Sequence, residues 1–210
     1  MGSTVLAAMS LEMPHPDRTL VSKARDGDTD AREELAQRTG RSAYVFALQL
    51  TRSPDAAQDI SQDSVLRFFG HLDRLDAEQP IEPWLFGIVR NQVRDAARRE
   101  RVRRHESLDR WLESGNPEPA GADDPAATAE RHELQQCVWR AISELGDAHR
   151  EILVLRDYHD LAYREIAEIL SIPTGTVMSR LHAARGRLRQ ILTVQEGGQT
   201  QADMTAGNDR

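Results

Sequence analysis

Residues Asp160–Leu192 constrain this chain more than any other stretch. They read DLAYREIAEIL, then SIPTGT, then VMSRLHAARGRLRQIL. In the first part Leu161, Ile166, Ala167 and Leu170 fall on one helical face. In the second, Val177, Leu181, Ala184, Leu188 and Ile191 recur at steps of four, three, four and three, the seam of an amphipathic helix. Pro173 fixes φ in the short turn, and Thr174 is placed to cap the next helix. Ala167 is small where two steeply crossing helices must approach. This is a helix-turn-helix pattern, whose second helix suits a DNA major groove. Two ordinary helices of a bundle would share the seam. They would not need the outward face of Ser179, Arg180, His182, Arg185, Arg187 and Arg189, with no acidic residue from Thr174 to Gln190.

The total charge pulls the other way. The 210 residues carry a net charge of −7, which repels phosphate. Either basic charge is concentrated locally or another partner helps hold the chain on DNA. Local concentration is visible around a helix that Pro83 opens. From Trp84 to Arg104 seven arginines stand against Asp95 and Glu100, a net of +5. Crowding them along one helix is costly unless a polyanion neutralises them. The inner face is read as Trp84, Leu85, Ile88, Val89, Val93 and Ala96. Asn91 and Gln92 carry amide edges suited to bases, and Trp84 offers either a stacking ring or core.

Upstream, Leu20, Val21 and Ala24 mark a short helix ending at Gly27. Asp28 caps a second that runs to about Thr51. Ser53-Pro54-Asp55 restarts a third, Asp55–His71, with Ser53 at the cap and Pro54 at the first helical position. Its apolar face is read as Ala56, Ile60, Val65, Leu66, Phe68 and Phe69. Its other face is acidic, with Asp55, Asp59 and Asp63: a solvated face or a docking surface for a basic partner. Leu72–Glu82 reads as a loop. Residues 1–16 read as a disordered leader.

From Glu106 to Glu133 eight acidic residues face two arginines, a net of −6, in a stretch rich in proline, glycine and alanine. Such a segment buries too little to offset its ordering entropy. It predicts a flexible acidic linker over 105–127 between helical domains at 17–104 and 128–194. In the second domain Leu134, Val138, Ala141 and Leu145 give a helix ended by Gly146, and Asp147 caps the next, with Ile152, Leu153 and Leu155 inward. Cys137 fits the apolar pattern, and a lone cysteine excludes an internal disulfide. The polar stretch 195–210 reads as a disordered tail. The fold class is therefore all-α: two small helical domains, the C-terminal one with the helix-turn-helix. No apolar run is long enough to span a membrane, and the N-terminus lacks a signal-peptide pattern, so a soluble cytoplasmic protein is expected. The seven histidines are scattered, and no catalytic constellation, metal set or cofactor motif is present, so no enzyme activity and no cofactor are expected.

Both signals together resemble the bacterial extracytoplasmic-function (group four) sigma factors of RNA polymerase. DAREEL at 30–35 and YVFALQLTRSPDAAQDISQDSVLRFF at 44–69 resemble the first half of sigma domain two. PWLFGIVRNQVRDAARR at 83–99 resembles its promoter-reading helix, and 155–192 resembles sigma domain four. The resemblance covers about residues 20–192. It implies that Asp59, Gln62, Asp63 and Arg67 dock on the beta-prime clamp helices of core polymerase, with domain four at the beta flap. It implies a −10 site of Trp84, Arg90, Asn91, Arg94, Asp95, Arg98 and Arg99, beside a loop at 72–82 that captures a flipped base. It implies a −35 site of Thr176, Ser179, Arg180, His182, Arg185 and Arg187. The acidic linker would follow the RNA exit path, and an anti-sigma factor is an expected partner. Met178 stands where the family usually has Arg or Lys, and Ala183 where a second basic residue is common, which points to a different −35 sequence. The alternative is a stand-alone helix-turn-helix regulator that binds duplex DNA unaided.

Overall fold

The computed structural model describes residues 18–75, 80–106 and 135–206, and no strand occurs among them. Helices α1 (Arg18–Arg25), α2 (Thr29–Thr51), α3 (Pro54–Gly70) and α4 (Glu82–Glu106) follow in order, with a 3-10 turn at Leu72–Arg74 after α3. Next come α5 over 135–143 and α6 (Asp147–Leu153), which continues as one π turn, Val154–Tyr158. Then follow α7 (Tyr163–Leu170) and α8 (Thr174–Ala206). The leader, most of the expected acidic linker and residues 207–210 lie outside the described residues.

Helix starts follow local chemistry. The Asp28 carboxylate accepts from the Ala31 amide at 3.0 Å, and the Ser53 hydroxyl accepts from the Ala56 amide at 3.3 Å. Each satisfies an orphan first-turn donor. Two expected caps differ. Gly146 holds the cap position of α6, and Asp147 is its first residue, paired instead with Arg150 at 3.1 Å. Thr174 is likewise the first residue of α8, and the Pro173 carbonyl accepts from the Thr176 and Val177 amides at 2.8 and 3.2 Å. At the other end α8 runs to Ala206, into the stretch whose polarity suggests a disordered tail. Once a helix is nucleated, each further residue adds a backbone hydrogen bond, so polarity alone does not stop it.

The chain divides into two compact units. Among the described residues, one contains α1–α4 with residues 164–172. In it α2 packs on α1, α3 and α4. Phe46, Phe68 and Phe86 are fully buried, with Phe46 and Phe86 ring centroids 4.6 Å apart and Phe68 meeting Trp84 edge-on at 5.4 Å. Thr39 and Ser42 are buried in α2, and each donates its hydroxyl to the carbonyl one turn back, at 2.7 and 3.0 Å. The other unit contains 135–163 and 173–206. There α8 packs on α6, burying Val177, Leu181, Ala184, Leu188 and Ile191, the expected seam. Val138, Ala141, Leu145, Ile152, Leu153 and Leu155 are also buried as expected, whereas Cys137 is half-buried.

The turn after α7 has a defined stop. Ser171 takes a left-handed conformation, φ 55°. Its amide donates to Glu168 O at 3.2 Å, and the Ile172 amide donates to Ala167 O at 3.0 Å, the paired bonds of a Schellman end. A side chain at this φ is strained, and glycine is not. Ser171→Gly is therefore expected to raise stability by about 0.5–1 kcal/mol in urea unfolding. A lowered midpoint would contradict this account of the turn.

Candidate nucleic-acid and polymerase interfaces

On α3, Asp59, Gln62 and Asp63 are exposed on one face, with Arg67 one turn further along. Leu66 lies on the same face at the i+3 and i+4 spacings from Asp63 and Gln62. It is 72% exposed, not part of the core as the apolar pattern suggests. Ala57 is buried in place of Ala56. The helix has apolar residues at Val65, Leu66, Phe68 and Phe69, more than one face can hold, and Phe68 takes the core position. An exposed leucine framed by two acids, one amide and an arginine makes this face amphipathic.

On α4, Asn91, Arg94, Asp95 and Arg98 are exposed and share one face, at i, i+3, i+4 and i+7. Arg99 is exposed beside them and its Nε donates to Asp95 O at 3.3 Å. Trp84 begins this face one turn before Ile88. Its ring is half-buried against Phe68 and His71, and with His71 and Arg74 it lines an open cleft of about 270 Å³. Sequence reasoning placed His71 at the end of the third helix and Arg74 in the loop after it and singled out neither as a cleft residue, because no period places side chains across a helix end.

Two polar residues of α4 point the other way. Arg90 is 8% exposed, and its guanidinium donates to the Ile169 carbonyl at 2.9 Å and the Leu170 carbonyl at 3.5 Å, at the end of α7 in the same unit. It is therefore not presented to DNA as the sequence suggests. A partner 79 residues away claims it, and no local pattern records that. Gln92, read as a base-facing amide, is also buried, and its Nε2 finds no acceptor among the described residues.

On α8 the outward residues differ in availability. Arg180 and His182 are exposed, and no hydrogen bond or ion pair engages them among the described residues. Thr176 is half-buried. The exposed Ser179 donates its hydroxyl to Thr176 O at 3.1 Å, leaving its lone pairs free, and Arg187 donates to Gln190 Oε1 at 3.1 Å. Arg185 is tied down: its Nε donates to Asp157 Oδ2 at 3.0 Å and its Nη2 to Asp157 Oδ1. The Asp157 hydrogen bond holds the Arg185 pKa above its ordinary value, and the Asp157 side chain is only 7% exposed. Arg185 thus fixes α8 to the π turn rather than standing free for a phosphate. Next to Asp157, burial raises the Tyr158 phenol, and burial lowers the His159 imidazole to about 3, so His159 is neutral. Among the described residues no cluster of His, Cys, Asp or Glu could hold a metal ion, and no helix is long and apolar enough to cross a membrane.

Comparison with known proteins places these faces in a family. Residues 35–103 match Sigma-70 region 2 and residues 135–188 match Sigma-70 region 4. Over 158 residues the chain is 35% identical to the ECF RNA polymerase sigma factor SigL of Mycobacterium tuberculosis (strain ATCC 25618 / H37Rv), covering 75% of this chain and 85% of SigL. The chain belongs to the ECF sigma factors. It is also 26% identical to the ECF sigma factor SigW of Bacillus subtilis (strain 168), across 82% of this chain and 94% of SigW. Among solved structures, the sigma factor RpoE from Bartonella quintana, in complex with the anti-sigma factor NepR, superposes with a TM-score of 0.65 at 26% identity, covering 79% of this chain and 98% of RpoE. As an ECF sigma factor the chain directs transcription initiation by RNA polymerase.

The Asp157–Arg185 pair generates a test. Arg185→Ala leaves a nearly buried carboxylate without its partner, so a loss of about 1–3 kcal/mol is expected in urea unfolding, discounted for the partial exposure of Arg185. Weaker promoter binding at unchanged stability would instead return Arg185 to the DNA face.

Proposed function

We propose that this sigma factor reads −10 and −35 promoter elements through the exposed faces of α4 and α8 while its α3 face holds core polymerase. Asn91 and Asp95 meet unpaired −10 bases, and Arg94, Arg98 and Arg99 meet phosphates. Trp84 stacks at the cleft it forms with His71 and Arg74. Arg180 and His182 reach −35 base edges, with Ser179 as an acceptor, Thr176 beside them and Arg187 toward the backbone. Arg90 and Arg185 take structural roles instead. One observation carries the reading: Asn91, Arg94, Asp95 and Arg98 line a single exposed face leading from the aromatic cleft, as a helix reading a melted strand requires.

Asp59, Gln62, Asp63 and Arg67, with Leu66 among them, dock on the beta-prime clamp helices, and domain four sits at the beta flap. Polymerase contacts then supplement the DNA affinity of a chain whose net charge is −7. The solved RpoE complex supports an anti-sigma factor as a further partner. The protein works in the cytoplasm without membrane insertion and has no catalytic activity of its own.

Run-off transcription with core polymerase tests the whole reading: adding this chain should create new start sites on genomic DNA, and their absence would refute it. Asp63→Lys is expected to abolish core binding in pull-down while circular dichroism stays unchanged. Intact binding would remove α3 as the docking face. Arg180→Ala is expected to weaken promoter binding by about 1–3 kcal/mol, the scale of one bidentate base contact. Promoter binding that keeps its full −35 dependence in this variant would take Arg180 out of the reading role.

A further inference from the structure

Among the described residues only three large apolar side chains stand well exposed: Leu66, Val194 and Met178, the last at 58%. Met178 is the one on the outward face of the recognition helix. It lies on a stripe with Gly175 and His182, at i−3 and i+4, with Ser179 next to it about 100° round the helix, and all four are exposed. Two arginines continue this stripe further along α8: Arg185 at i+7, which is held by Asp157, and Arg189 at i+11, three turns away. Ser179 has its proton engaged on Thr176 O. Gly175 is not demanded by its surroundings, since a Cβ there would meet no heavy atom within 4 Å and its φ is not left-handed. One turn before Met178 the helix therefore leaves open space on the solvent side.

A major groove offers one apolar group to such a stripe, the C5-methyl of thymine. An unbranched thioether is long enough to lie along the groove and soft enough to fit a methyl group. Arg180 lies off this stripe, two residues on and about 200° round α8 from Met178, so it reads a different base or strand. We propose that Met178 is a specificity residue that reads a thymine of the −35 element through its C5-methyl, with Gly175 giving the groove wall room to approach. This rests on the −35 reading above and names the chemistry it selects.

The test uses holoenzyme assembled from core polymerase and the full chain, on a promoter found by run-off transcription. Each −35 thymine is replaced in turn by deoxyuridine, which removes only the methyl group, and promoter binding is measured. One position is expected to lose about three- to fivefold, the effect of exposing one methyl group. Met178→Ala should lose about as much on the thymine duplex and nothing more on the uracil duplex, whereas Met178→Leu should keep the sensitivity. The inference is overturned if the element contains no thymine, if no position responds, or if Met178→Ala keeps the methyl sensitivity. It is equally overturned if Met178→Ala weakens core binding without DNA, since the side chain then serves a protein contact. Scrambling the −35 element separates the two levels. If binding survives scrambling, the −35 reading itself fails. If scrambling abolishes binding while uracil does not, only the role of Met178 fails.

Discussion

The short helices and turns of this fold end in carbonyls without helical partners, and arginines reach back to them. Arg32 Nε donates to Ala24 O at 2.7 Å at the end of α1, and Arg25 closes the 3-10 turn by donating to Leu72 O at 3.2 Å and to Leu75 O. Arg150, 3% exposed, gathers the carbonyls of Ile142, Ser143 and Leu145 after α5. Arg156 does the same for Asp160 and Leu161 after the π turn, at 3.3 and 2.8 Å, and lies over the Tyr163 ring. A guanidinium carries five donors in a fixed fork, so one side chain satisfies several last-turn carbonyls and complements the negative helix end. Hydrogen bonds to a charged group are worth about 1.5–3 kcal/mol each, more than a neutral pair.

The same residue type therefore has two uses, and sequence does not separate them. Seven arginines crowd 84–104, yet Arg90 is buried against α7 while Arg94, Arg98 and Arg99 are exposed. On α8, Arg180 is free of partners among the described residues and Arg185 is bound to Asp157. What distinguishes them is a partner distant in sequence, 79 residues away for Arg90 and 28 for Arg185. Local chemistry was legible where the partner is local. Asp28 and Ser53-Pro54 start their helices, and the five-residue seam of α8 is buried throughout. Faces were less legible where apolar residues outnumber the positions on one side. In WLFGIV, Phe86 goes fully inward and Trp84 only partly; in VLRFF, Leu66 goes outward.

The placement of charge resolves the acidic total. Positive groups lie on the α4 and α8 faces, and acids lie on α3 beside Leu66. A net of −7 is thus a sum over surfaces of opposite sign, not a description of any one of them. A sigma factor has this need built in, since it must meet a protein and a polyanion at once.

The pair between Asp157 and Arg185 has a consequence beyond stability. An α-helix turns 100° per residue, so a small roll about its axis changes which side chain meets which base. A two-pronged ion pair from a buried aspartate to one side of the helix acts as a rotational stop. It sets the angle at which Gly175, Met178, Ser179 and His182 are presented, so the orientation of that outward face is a property of the π turn as much as of α8 itself.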